Sequence, residues 1–138
     1  MWTLARYLRL PSGHKRLLHA AFAWLILARI GVALFSLPTL QRISSIFRGR
    51  SLSGATLDEL RWAVLAVARR VPGTRCLARA LALQALLREA GMPATLCLGV
   101  AKESGGALAA HAWVLLDDAP VIDERDLEHY TLLSAFPA

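Results

Sequence analysis

The stretch LLHAAFAWLILARIGVALFSLP, residues 17–38, constrains the fold more than any other segment of the chain. As a helix it is long enough to cross the ~30 Å hydrocarbon layer of a bilayer. Arg29 would then stand near mid-bilayer, at a cost of about 2.5–3.5 kcal/mol on insertion scales, and His19 and Pro38 add to the objection. The better reading is a helix buried in the fold or lying at an interface. Ser12 can cap its start, and Pro38 bars its continuation. Leu17, Ala21, Trp24, Leu25, Ala28 and Val32 fall near one face, yet the opposite face is scarcely polar. A helix apolar nearly all round asks for cover on both sides.

The whole chain shares this character. Of its 138 residues 56% are hydrophobic and 19% charged, which suits one domain with a real core and leaves too little chain for two. Its net charge of +6 is unevenly placed: residues 1–50 hold eight Lys/Arg and no acid, residues 51–138 eight Lys/Arg and ten acids. Such asymmetry suits a nucleic acid, a membrane surface or an acidic partner. The cations are scattered singly among Leu, Ala and Phe with few aromatics to stack on bases, which argues against nucleic acid. Two cysteines, Cys76 and Cys97, make no disulfide framework and read as free thiols in a reducing cytosol. The opening MWTLARYLRLPSGHKRL lacks a compact apolar run ending in a cleavage site, so no signal peptide is expected.

Along the chain, LPTLQRISSIFRGRS reads as a short basic helix and GRSLSG as a loop. In SGATLDELRWAVLAVARRVPG, Thr56 and Glu59 form a capping box. Leu57, Leu60, Val64 and Val67 recur at helical spacing, and Val71-Pro72-Gly73 stops the helix. PGTRCLARALALQALLREAG then predicts a helix with Thr74 as N-cap, Cys76 in its first turn, an end at Glu89 or Ala90, and Gly91 just beyond. After Pro93 the pattern becomes strand-like: ATLCLGVA, a glycine-containing connection KESGGALA, AHAWVLL, a DDAP turn and PVID. LEHYTLLSAF suits either a helix or a strand. Helices followed by a small antiparallel sheet make an α+β fold. The expected organisation is an apolar, basic, helical segment, 1–50, ahead of a core, 51–138, in one compact domain.

The residues that carry chemistry come from three places. A hairpin turn centred on Asp117 would set His111 opposite Asp123 and Trp113 opposite Val121, and opposed residues on one face come within hydrogen-bonding reach. A carboxylate beside an imidazole fixes its tautomer and stabilises the imidazolium. Cys76 is the natural third member, because the positive end of a helix dipole and a nearby imidazolium both favour a thiolate. Its own N–H can also face a developing oxyanion. Asp117, Asp118 and Asp126 compete with Asp123 less well, two lying in the turn and one breaking the pairing. Cys97, between Leu96 and Leu98, reads as core; His14, His19 and His129 as surface or element-end residues. Trp113 either walls a groove beside His111 or is plain core. Zinc on Cys76, His111 and Asp123 lacks any recognised ligand spacing.

CLARALALQALLREAGMPATLCLGV, followed by AAHAWV and VID, resembles the lasso-peptide leader peptidases, transglutaminase-like processing proteins. The resemblance covers nearly the whole chain, and Cys76, His111 and Asp123 match the family's cysteine, histidine and aspartate. It implies a papain/transglutaminase-like core, with a central helix packed on a small antiparallel sheet behind N-terminal helices. The implied activity is that of a cysteine protease, needing no metal or organic cofactor, that removes the leader from a ribosomally made precursor. The implied partners are the precursor peptide and a separate leader-recognition protein, because the chain looks like the split form. The ATP-dependent macrolactam cyclase that closes the ring is a candidate third. A glutamate often follows AHAWV in the family where Leu115 stands here, which puts in question any substrate contact that acid makes. A cytoplasmic protein is expected, with membrane-surface contact through residues 14–50 as an open addition. The alternatives are a transglutaminase-like acyl transferase or amidase, and a non-enzymatic membrane-associated or adapter protein in which Cys76 is merely packed.

Overall fold

The computed structural model describes residues 5, 8–45, 52, 54–71, 76–102, 105–121 and 130–137. Among them are four helices, α1 (Ser12–Leu34), α2 (Leu37–Ser45), α3 (Leu57–Ala68) and α4 (Cys76–Glu89). Four strands follow, β1 (Thr95–Lys102), β2 (Leu108–Leu116), β3 (Ala119–Pro120) and β4 (Thr131–Phe136). They form one sheet in the order β3-β2-β1-β4, antiparallel at every pairing. The fold is α+β, as the order of helical and strand patterns implied.

The long apolar stretch becomes α1, but one side of it does the packing. Leu17, Ala21, Leu25 and Ala28 are buried on the side that packs on α3 and α4, and Gly31 lies under Leu40 of α2, whereas Val32, expected on the same face, is exposed. Ser12 is the first helical residue, not the cap: the N-cap is Pro11, and no side chain closes that end. The Phe35 N–H donates to the Gly31 carbonyl at 2.7 Å, and α2 begins two residues later with Pro38 inside its first turn, where a missing N–H costs nothing. Around α3 the capping box forms as read, with the Glu59 N–H donating to Thr56 Oγ1 and the Thr56 N–H to Glu59 Oε1.

The helix that is enclosed all round is α4. Every residue from Ala80 to Glu89 is buried, with α1 and α3 on one side and β1 and β2 on the other. Each fully buried leucine there, such as Leu83, Leu86 and Leu87, contributes about 1.5–3 kcal/mol of burial. Gly91, at φ +80°, ends the helix: its N–H donates to Arg88 O and the Met92 N–H to Leu87 O, the paired bonds of a Schellman motif. Thr74, expected as N-cap, lies outside the described residues.

Three polar side chains inside this helix have no precedent in the periodicity argument. Gln84 accepts from Gln41 Nε2 of α2 at 2.6 Å and donates to the carbonyls of Ala94 and Phe136 at 3.1 and 2.9 Å. Arg88 donates to the Gln41 and Pro137 carbonyls, each at 3.3 Å. Glu89 Oε2 accepts from Trp24 Nε1 of α1 at 2.9 Å. These bonds tie the first two helices and the chain's last strand to α4.

The register of the sheet corrects one expectation. The turn between β2 and β3 has two residues, Asp117 and Asp118, both left-handed (φ +52° and +63°), so Leu116 pairs with Ala119 and Leu115 with Pro120. The Val121 N–H accordingly donates to Val114 O, not to a position beside Trp113. A two-residue turn of this hand matches the right-handed twist of the strands, and aspartate tolerates the left-handed region better than most residues. The pairing of His111 with Asp123 requires a turn centred on Asp117, half a residue earlier, and the two-residue turn shifts every opposed position by one. Asp123 itself lies outside the described residues. The segment LEHYTLLSAF, left open between helix and strand, supplies β4 on the far edge, with a register shift between Leu98 and Gly99.

Candidate functional site

Cys76 is the first residue of α4, half-buried, with its side chain against the main core. A helix's first four N–H groups have no intrahelical acceptor, so its thiol stands at the positive end of the dipole. Cys97 differs in every respect. It lies in mid-strand, is 2% exposed, and burial pushes its thiol pKa up. The reading of Cys97 as core holds.

His111 lies at the centre of β2, opposite Gly99 of β1, and is 4% exposed. Strand alternation sends Ala112 and Val114 to the face that packs on α4, and both belong to the main core. His111 and Trp113 therefore project from the other face. There the imidazole stacks on the Trp113 indole, ring centroids 6.0 Å apart and planes 24° from parallel. The Tyr130 ring closes on both, 5.2 Å from His111 and 6.1 Å from Trp113. The aromatic contacts fix the imidazole's plane and keep water from its flanks.

Gly99 makes room for this cluster. A Cβ there would sit 2.7 Å from Trp113 Cη2 and 2.9 Å from the Thr131 carbonyl. Mid-strand glycine signals just such a close approach, and it was the available hint that something large lies over β1. Tyr130 carries no comparable signal; only the pairing of β4 with β1 brings it to His111. Trp113 turns out to be the neighbour of the histidine and a buried residue at once.

The structure thus places Cys76 and His111 on two elements packed directly against each other, α4 and β2. Asp123, Asp126 and His129 fall outside the described residues. Asp117 and Asp118 are exposed turn residues. His14 stands 4.0 Å from Glu59 and edge-on to Trp62, and His19 is exposed on α1. Among the described residues no three of His, Cys, Asp and Glu converge on one point.

Residues 17–135 match the model of the transglutaminase-like superfamily, a span that runs from within α1 to the last strand. No curated protein and no solved structure matches the chain.

Proposed function

The chain belongs to the transglutaminase-like superfamily, whose chemistry is of the cysteine peptidase and acyltransferase type, and from that premise we propose that it is a cysteine peptidase removing the leader from a lasso-peptide precursor. The observation that carries this reading is Cys76 as the opening residue of the enclosed central helix, within the family match, with a buried histidine on β2, a strand packed against that helix.

In this mechanism the Cys76 thiolate attacks the carbonyl carbon of the leader–core peptide bond, and the Cys76 N–H supports the oxyanion. His111, as imidazolium, gives its proton to the departing amine, which becomes the core's new N-terminus. His111 then takes a proton from water, whose oxygen displaces the thiolate and frees the leader as an acid. Asp123 orients His111. Because His111 projects from the face of β2 away from α4, the two groups must meet at the margin of the strand. A residue at the start of α4 suits this better than one in its enclosed middle. The rings of Trp113 and Tyr130 hold the imidazole in a fixed plane for both transfers. A separate leader-recognition protein delivers the precursor.

The family's other chemistry is the second reading: the same thioester, formed on a glutamine side chain with loss of ammonia, passes to an amine. Intact-mass analysis separates the two. The precursor encoded nearest this protein's gene is incubated with the leader-binding protein and with wild type, Cys76→Ala or Cys97→Ala. A single cut that disappears only with Cys76→Ala supports the peptidase. A precursor that loses ammonia or gains a cross-link points to acyl transfer. A precursor left unchanged while the partner demonstrably binds returns Cys76 to a packed thiol.

A further inference from the structure

The outward side of α1 is not that of a helix facing water. Phe22, Leu27, Ile30, Leu34 and, just past the helix end, Phe35 are each more than half exposed, and Ile43 of α2 continues the surface. At 100° per residue, Leu27, Ile30 and Leu34 lie on the side opposite the buried Leu17, Ala21, Leu25, Ala28 and Gly31. Between α1, α2 and α4 an apolar cleft of about 150 Å³ opens onto this surface, lined by Leu27, Ile30, Phe35, Leu40, Ile43 and Leu81 among others. The exposed charged side chains of α1 and α2 have one sign. Arg16 precedes the apolar turns on the outward side, Arg29 flanks them, Arg42 adjoins Ile43, and all three are exposed. Residues 1–50 contain no Asp or Glu.

We propose that this face docks the protein on an anionic lipid surface, with α1 and α2 lying in the headgroup layer. Three observations favour lipid over a protein partner. Leu27, Ile30 and Leu34 recur along one side of a single helix, a linear array that can lie along a surface. The uniform positive charge complements anionic headgroups, and arginines at the margin can keep their heads in that layer while their stems lie against acyl chains. The cleft is apolar and takes a length of acyl chain. The helix passes the tests of length and composition for crossing a membrane, yet its inward side is committed to α3 and α4, and Trp24 is bonded to Glu89. It lies on the surface and does not span. The proposal is independent of the peptidase reading, because none of these residues belongs to the catalytic set.

Flotation of the full chain with vesicles tests it, using phosphatidylglycerol mixed with phosphatidylcholine against phosphatidylcholine alone. Wild type should float with the anionic vesicles, less in high salt and less with the neutral ones. The pair Leu27→Ser and Ile30→Ser should weaken binding at least about tenfold. The pair Arg16→Glu and Arg29→Glu should remove the preference for anionic lipid. All four side chains are exposed, so thermal unfolding by circular dichroism should match wild type in both variants. Wild type that floats with neither vesicle, or binding that both variants retain, overturns the proposal. So does light scattering in which the serine pair splits a dimer while lipid binding is unchanged, since the face would then be an interface between copies of the chain.

Discussion

Gln84→Leu tests whether the polar seam in α4 holds the layers together. Gln84 is 1% exposed and makes three bonds, to Gln41 Nε2, to the Ala94 carbonyl and to the Phe136 carbonyl, at 2.6, 3.1 and 2.9 Å. Leucine has nearly the same volume, so the cavity contribution is small and the change is electrostatic. Each lost neutral bond is worth about 1 kcal/mol net, and a buried group left without a partner costs about 1–3 kcal/mol. Ala94 is fully buried, so its carbonyl meets the larger figure, whereas Phe136 is half-buried and its carbonyl recovers part of the loss from water. Burying a leucine side chain returns about 1.5–3 kcal/mol. The expected net loss is about 2–4 kcal/mol, which for a chain of this size lowers the thermal midpoint by about 8–16 °C. Urea and thermal unfolding measure it. In a cycle with Gln41→Leu, the double variant should lose less than the sum of the singles, since one bond would otherwise be counted twice. A loss under about 0.5 kcal/mol would refute the reasoning, because the three partners would then be satisfied without Gln84.

Gly99→Ala should destabilise by about 1–3 kcal/mol and alter the near-ultraviolet dichroism of the tryptophans. The new Cβ meets the Thr131 backbone and the ring of Trp113, neither of which can swing away. Gly31→Ala makes the useful contrast: its Cβ meets only the tip of the Leu40 side chain, and alanine gains about 1 kcal/mol of helix propensity, so stability should hold or rise on urea unfolding. Mass-mapped alkylation should modify half-buried Cys76 well before Cys97, which burial both screens and keeps protonated. Because that burial raises the folded-state pKa of Cys97, its contribution to stability is present below the ordinary thiol range and lost as pH rises through the raised value; earlier labelling of Cys97 would contradict this. For Glu59, bonds from the Thr56 backbone and side chain, with His14 adding, hold the carboxyl below its ordinary range. Its contribution is present above that range and lost as pH falls through the lowered value. Thr56→Ala removes the hydroxyl but keeps the backbone N–H, the larger cause, so the Glu59 titration followed by NMR should rise only part of the way to its ordinary range.

Local patterns alone delivered much of this molecule. The capping box at Thr56 and Glu59, the left-handed stop at Gly91 and the alternation through β1 and β2 are properties of a few neighbouring residues, with backbone groups that must be satisfied on the spot. Cys76 at a helix start and His111 in a strand were legible for the same reason. What failed was longer in range or depended on one residue of offset. The β2–β3 turn could hold two residues or three with little change in local preference, and the pleat made that choice decide which residue faces His111.

Other features had no local signal at all. Gln84 and Arg88 sit among leucines and alanines where periodicity says only that the helix is enclosed; their partners, Gln41, Ala94, Phe136 and Pro137, lie ten to fifty-two residues away in sequence. Tyr130 reaches His111 through the pairing of the last strand with the first. The sequence by itself therefore determined the kinds and order of the elements ahead of the last strand, and the α+β class, because hydrophobic period, caps and turns act within a few residues. Only the tertiary structure decided the turn register, the polar seam and the aromatic surround of His111. Each of these is a contact between segments distant in the chain, selected by how three layers pack together.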